Sequence, residues 1–310
     1  MVVVDELAEQ RQTSLGLLGA GLAVSAWAGG TIITKSIDMG GLAVGVYRFW
    51  FFSAVIVVWM ASRGTPMRLS VLRDSALGGI ALGLDIAFFF SAIKLTTVVN
   101  ATLIGSLQPI VVGVVAARFM GEEIKGRDAL WSLLALVGVA GVILASSGVE
   151  EWSLSGDLLA FAAMFTWSGY FIFSKRSKGK LTSTEYTAGT AIWTAVIVTP
   201  LAVGFSQDLG WPGWDDIVWL LVMVALAGVV GHSLMNWSLV RIPLWVGSTF
   251  TLLIPVVSAI LAWIVLDEAL SLAQAAAMGL VLVSLAMIVS GQRSTGGQPS
   301  RPAPESTPST

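Results

Sequence analysis

The chain has 310 residues, 55% of them hydrophobic and only 12% charged, with a mean hydropathy of +0.84. A soluble globular protein carries about 25% charged residues, so the charge here cannot cover a water-exposed surface, and lipid is the natural solvent. A net charge of -2 gives no reason to expect nucleic acid or another charged polymer as a partner, and the lack of cysteine removes disulfides, thiolate nucleophiles and Cys metal sites.

The first 14 residues, MVVVDELAEQRQTS, hold three acids and one Arg, unlike the basic start of a signal peptide. They are expected to form a short cytoplasmic segment ahead of a retained membrane span. A bilayer core about 30 Å thick takes roughly 20 apolar residues in helix. Ten stretches qualify: 15–34, 42–61, 75–94, 98–118, 128–147, 155–174, 185–205, 215–239, 244–266 and 271–290. SRGTPMRLS, GEEIKGRD, SKRSKGKLTS and SQDLGWPGWDD punctuate them. Spans three and four, and eight and nine, are joined by very short turns and are expected to be antiparallel hairpins. The Gly-, Pro-, Ser- and Thr-rich tail, 291–310, reads as disordered. The fold class is therefore an all-α polytopic membrane protein.

Orientation follows the distribution of Lys and Arg. With the amino terminus inside, inner segments carry Arg11, Arg63, Arg68, Arg73, Arg118, Lys125, Arg127, Lys175, Arg176, Lys178, Lys180, Arg241, Arg293 and Arg301. Outer segments carry only Lys35 and Lys94, which makes fourteen against two. Both termini are expected in the cytoplasm, at the inner membrane of a bacterium.

The ten spans divide into two fives. AWAGGTIITK at 26–35 is echoed by TWSGYFIFSK at 166–175: Trp27 matches Trp167, Gly29 matches Gly169, and Lys35 matches Lys175. FSAVIV at 52–57 is echoed by WTAVIV at 193–198. Pro109 and Pro255 each precede a glutamate, Glu122 and Glu268, by 13 residues. Five is odd, so the second copy, 155–290, is expected upside down relative to the first, 15–147. Inverted repeats are the architecture of many secondary transporters, in which a central site opens to either side.

The two five-helix units, the Pro-to-Gly-Glu pattern ending the fourth helix and Arg48-Phe49 early in the second resemble the drug/metabolite transporter superfamily in its EamA-type branch. More closely they resemble the YddG-type exporters of aromatic and other amino acids. The resemblance implies a ten-helix exporter of small metabolites with no cofactor. Related branches carry drugs, nucleotide sugars and other metabolites. The second copy departs from the pattern: Gly189 stands opposite Arg48, and the Gly-Glu motif reads Asp267-Glu268. Arg48 therefore has no symmetric role.

Charges at membrane depth are costly and usually face protein or a water-filled cavity. Arg48 suits a substrate carboxylate, since a guanidinium forks onto carboxylate oxygens; a structural ion pair or a snorkelling side chain explains it equally. Asp85, followed by Phe88, Phe89 and Phe90, is a candidate for facing an amine or carrying a proton, or for pairing with Arg48. The single histidine, His232, is either a titrating group or a plain interhelical donor. With no second His or clustered carboxylate, no metal site is expected. Trp27 and Trp167, at equivalent mid-membrane positions, are candidate walls of a pocket for a flat solute, or packing residues. Tyr170, Asn100, Gln108 and Trp237 complete the candidate substrate-binding set. Trp59, Trp152, Trp211 and Trp214 read as interfacial belt residues. Pro109 and Pro255 are candidate hinges, because each removes a backbone donor and bends its helix. Glu122 and Glu268 read as clamps accepting from free helix amides at the starts of spans five and ten.

The chain has no GxSxG, no HExxH, no Asp-rich diphosphate motif and no phosphate-cradling loop. A membrane-embedded enzyme finds little support, and ATP-driven transport would need a separate partner. The expected function is secondary transport of small amphiphilic metabolites, with uniport preferred over proton coupling because Asp85 has no acidic twin.

Overall fold

The computed structural model describes residues 2–34, 37–96, 98–145, 153–267 and 269–294. No strand occurs among them, and ten helices are long and apolar enough to cross a membrane. The chain is an all-α integral membrane protein. Lys35, Trp152, Glu268 and residues 295–310 lie outside the described residues, as do the side chains of Lys94 and Asn100.

Span one is α1 (Val2–Thr34), two is α2 (Gly41–Ser62) and three is α3 (Leu69–Leu95). Span four is broken into α4 (Val98–Gly105) and α5 (Gln108–Phe119). α6 (Gly126–Ala145), α7 (Leu154–Arg176) and α8 (Ser183–Gly204) form spans five to seven. Span eight runs as α9 (Trp214–Met223), a π-helical segment (Val224–His232) and α10 (Ser233–Leu239). Span nine is α11 (Leu244–Thr249), a 3-10 turn (Phe250–Leu252) and α12 (Leu253–Leu266). α13 (Leu272–Ser294) is span ten.

Two expectations are revised. The residues expected to precede span one continue its helix from Val2, and the apolar crossing window starts at Leu7. ELAEQRQ contains good helix formers and no breaker, so the helix propagates outward. The short-turn hairpins also open out. α3 packs chiefly on α7 and α8 rather than on α4, and α10 packs more on α8 and the π segment than on α11.

Contacts between loops fix the two ends of the bundle. At one end Arg68 reaches Glu185 at 2.6 Å, Arg241 reaches Gln12 at 3.1 Å, and Glu122 meets the start of α11. This end collects Arg63, Arg118, Lys125 and Arg176, and is called the basic end below. At the other end Asp38 N donates to Asp216 and Thr96 donates to Asp157 at 2.7 Å. Exchanging each span with the one five places on maps the largest packing pairs onto one another, although several smaller pairs have no such counterpart. α2 packs on α8 and α6 on α13. The pairing of α1 with span eight corresponds to that of α7 with α3, and α1 against α12 corresponds to α7 against span four. The main core lies where the halves meet, around Trp27, Phe49, Phe52, Tyr170, Phe171 and Tyr186.

The prolines sit at related places. Pro109 lies in the first turn of α5 and Pro255 near the start of α12, each just past an interruption. A proline there lacks only a donor that a helix start leaves free anyway. The expected mid-helix bends are thus outright breaks. The two breaks face each other, with Thr251 Oγ1 donating to Gln108 Oε1 at 3.3 Å.

Candidate substrate site

An aromatic and polar cluster forms around His232, at the end of the π segment. The imidazole is buried among Trp27 at 5.2 Å, Phe49 at 5.8 Å and Phe52 at 6.1 Å between ring centroids, the last stacked at 26°. The i-to-i+5 winding is rare and concentrates at functional sites. Here Gly231 permits the approach of Trp27, since a Cβ at that position would lie 2.5 Å from the indole Nε1. The indole N–H donates to Ala227 O at 3.2 Å, within the loosened winding.

A hydrogen-bonded chain passes through the imidazole. Arg48 Nη2 lies 3.5 Å from His232 Nε2, and Tyr170 Oη lies 3.1 Å from Nδ1. Asn236 Nδ2 donates to Tyr170 Oη and to Thr187 Oγ1, both at 2.9 Å, and Ser174 Oγ donates to Asn236 Oδ1 at 2.8 Å. A guanidinium has no acceptor. Its contact with Nε2 therefore selects the tautomer with the proton on Nδ1, which donates to Tyr170. The phenol oxygen then accepts twice, from His232 and Asn236. The chain joins spans two, eight, six and seven.

Arg48 is the open end of this chain. Its guanidinium carbon lies 5.1 Å from the Phe49 ring centroid, its Nε is buried without a hydrogen-bond partner, and no carboxylate pairs with it among the described residues. The expected alternative of an Arg48–Asp85 ion pair is not formed. Asp85 is half-buried on α3. Gly45 faces Ile86 across α2 and α3, with 3.4 Å between a Cβ built on Gly45 and Ile86 Cγ2. Arg48 and Asp85 consequently lie within about one helical turn of each other in depth, roughly 5 Å. The missing twin of Arg48 has a packing cause: Ser75 Oγ occupies the space that a Cβ on Gly189 would need.

The tryptophan pair meets edge to face, 5.2 Å apart at 65°. The two rings differ in role. Trp27 is 7% exposed and committed to its hydrogen bond, whereas Trp167 is half-buried and stacks on Tyr170 at 5.4 Å and 22°. Two of the three phenylalanines that follow Asp85 are taken up by helix packing. Phe89 packs on Ala92, Ala101 and Ala160, and Phe90 packs on Gly41 and the cluster of Leu42 and Val198. Trp237 stands apart, beneath Arg241 at the basic end, with 3.7 Å from guanidinium to ring. Gln108 is fully buried at the broken span, with Nε2 unpartnered. Asn236 and Tyr186, whose hydroxyl donates to Tyr170 O at 3.2 Å, are members that the sequence reading passed over. The signal was available for Asn236, one helical turn beyond His232 in an apolar span.

Glu122 also acts elsewhere than expected. It accepts from Leu244 N at 2.7 Å and Trp245 N at 3.2 Å, capping the start of span nine rather than span five. Lys175 Nζ lies 3.7 Å from Glu122 Oε1 and donates to Ile242 O. The basic end of spans four, six and nine is thereby tied at one point.

A family model described as the EamA-like transporter family matches residues 14–144 and again 154–290. The chain belongs to the EamA-like transporter family. This is a family of transporters rather than enzymes. This EamA-like chain is 26% identical over 271 residues to a probable amino-acid metabolite efflux pump of Escherichia coli K12, covering 83% of this chain and 88% of that one. It is 28% identical to the aromatic amino acid exporter YddG of Ancylobacter novellus over 49% of this chain and 52% of the other. It is 22% identical to the threonine/homoserine exporter RhtA of Escherichia coli over 85% and 87%. A solved protein structure superposes with a TM-score of 0.76 at 24% identity, over 89% of this EamA-like chain and 97% of that one, a likeness of fold.

Proposed function

We propose that this chain is a secondary transporter that exports amphiphilic amino acids, foremost those with a flat ring, by alternating access between two inverted repeats. The observation that carries the reading is Arg48: a cation inside the membrane, with one donor buried and unpartnered and no carboxylate paired with it among the described residues. A substrate carboxylate supplies the missing acceptors, since a guanidinium forks onto two oxygens. Asp85, also without an ion pair among the described residues, stands at a similar depth on the next helix for the amine. The half-buried face of Trp167 offers the ring contact, worth about 0.5–1.5 kcal/mol beyond area burial. Such weak contacts suit an exporter that must release its load.

The fourteen-to-two charge asymmetry supports both termini in the cytoplasm and the basic end inside. The mapping of the largest packing pairs onto one another supports an inverted duplication, 15–147 and 155–290, and the facing breaks near Pro109 and Pro255 supply hinges. In this scheme the Glu122–Lys175 tie closes the cytoplasmic side and opens when substrate enters from inside. Uniport is the coupling mode, because export of an accumulated metabolite runs downhill.

Proteoliposomes containing only this protein test the reading. Loaded with phenylalanine, tryptophan or threonine, they should lose the aromatic amino acids fastest, and Arg48→Gln should abolish that flux. Phenethylamine, which lacks the carboxylate, should leave at a rate indifferent to Arg48→Gln. Equal loss of the amino acids from parent and variant vesicles would refute carboxylate recognition. Uphill movement driven by an imposed pH gradient would replace uniport with proton coupling.

A further inference from the structure

A second site lies on the outer wall of the bundle. α5 and α6 follow one another after a six-residue connection, 120–125, yet they scarcely touch. Between them is a cavity of about 300 Å³, closed behind by Trp245, Thr249 and Leu252 of span nine. Its rims are two helical stripes. Ile110 and Val114 of α5 run on at the same spacing to Arg118, and Leu133 and Ala129 of α6 run back to Lys125. Ile110, Val114 and Leu133 are exposed at membrane depth, so what reaches them is hydrocarbon. Arg118 and Lys125, at the mouth, are exposed, and neither has an ion-pair partner among the described residues. Of the acids nearby, Asp128 is buried and paired with Arg127 at 3.4 Å, and Glu122 is held by α11 and Lys175. Among the described residues of this connection, Glu123 is the remaining acid, and it is exposed.

We propose that the groove between α5 and α6 binds one acyl chain of an anionic phospholipid whose headgroup phosphate is held by Arg118 and Lys125. A slot open to hydrocarbon along its length, with two uncommitted cations at the end where it meets the membrane surface, matches a ligand with an apolar tail and an anionic head. Basic pockets between membrane helices bind anionic headgroups on the same principle.

Native mass spectrometry of the full-length protein, titrated with phosphatidylglycerol or with phosphatidylcholine of the same chains, tests the site. The parent should retain one phosphatidylglycerol in preference to phosphatidylcholine. Arg118→Gln with Lys125→Gln should weaken phosphatidylglycerol binding by about 25-fold, roughly fivefold per charge, without affecting phosphatidylcholine or the melting temperature. Gly113→Leu fills the groove from within and should weaken both lipids. A Cβ there meets only Ile124 Cδ1, at an ordinary 3.5 Å, so the fold accepts the start of that side chain. Ala129→Trp blocks the groove from the opposite wall should Gly113→Leu fold poorly. Equal retention of the two lipids by the parent, or an undiminished phosphatidylglycerol preference in the double charge variant, would overturn the proposal. So would displacement of the bound lipid by phenylalanine, which would make the groove a substrate portal.

Discussion

At the scale of single residues, the two tryptophans separate packing from recognition. Trp27→Ala removes a buried ring and its hydrogen bond and should cost about 3–5 kcal/mol of stability, so loss of flux in that variant would say little about substrate. Trp167 is half-exposed and the cleaner probe. Trp167→Ala should lower tryptophan and phenylalanine flux several-fold while threonine flux is kept, with a smaller fall in melting temperature than Trp27→Ala causes. Unchanged aromatic flux would make Trp167 a packing residue as well. Tyr170→Phe tests the polar chain: it leaves Asn236 bonded to Thr187 but strips His232 Nδ1 of its partner. A buried polar group left unsatisfied costs about 1–3 kcal/mol, readable as a lowered melting temperature. A melt unchanged within error would mean that the phenol bond contributes nothing net.

At the scale of elements, Glu122 is the joint to break. Replacing it with Gln keeps the size of the cap and removes its charge, weakening both the amide cap on α11 and the pairing with Lys175. Spin labels at Arg118 and Lys178, on the ends of spans four and six, should then show a longer mean separation than in the parent without added substrate. Identical distance distributions would mean that this tie does not hold the end closed. The elements also differ in how far they could be read from sequence. The ten spans were legible because length and hydropathy alone specify a membrane helix. The partner of Glu122 was not, because a carboxylate at the end of one span gives no sign of which of several nearby helix starts it will cap. The π winding of span eight was hidden too. VALAGVVGH reads as uniformly apolar helix, and nothing within it announces that Trp27 of another span packs against Gly231.

For the whole molecule, orientation is the first thing to establish, and a chain without cysteine suits single-cysteine labelling. Asp208→Cys should react with an impermeant thiol reagent applied outside cells, and Lys178→Cys should react only after the membrane is opened. The reverse pattern would invert the assignment of the basic end. The mapping of the largest packing pairs onto one another carries a further consequence. If the halves are inverted copies, exchanging their conformations turns an outward-open molecule into an inward-open one built from the same kinds of contact. Such a scaffold is nearly degenerate, and the resting preference falls to the residues that lack twins: Arg48 facing no counterpart at Gly189, and His232 with Asn236 on one side only. A difference of about 1.4 kcal/mol makes a tenfold ratio of populations, the scale of one hydrogen bond in this chain. Evolution could therefore reverse which side such a protein faces at rest by editing a handful of positions, leaving every helix where it is.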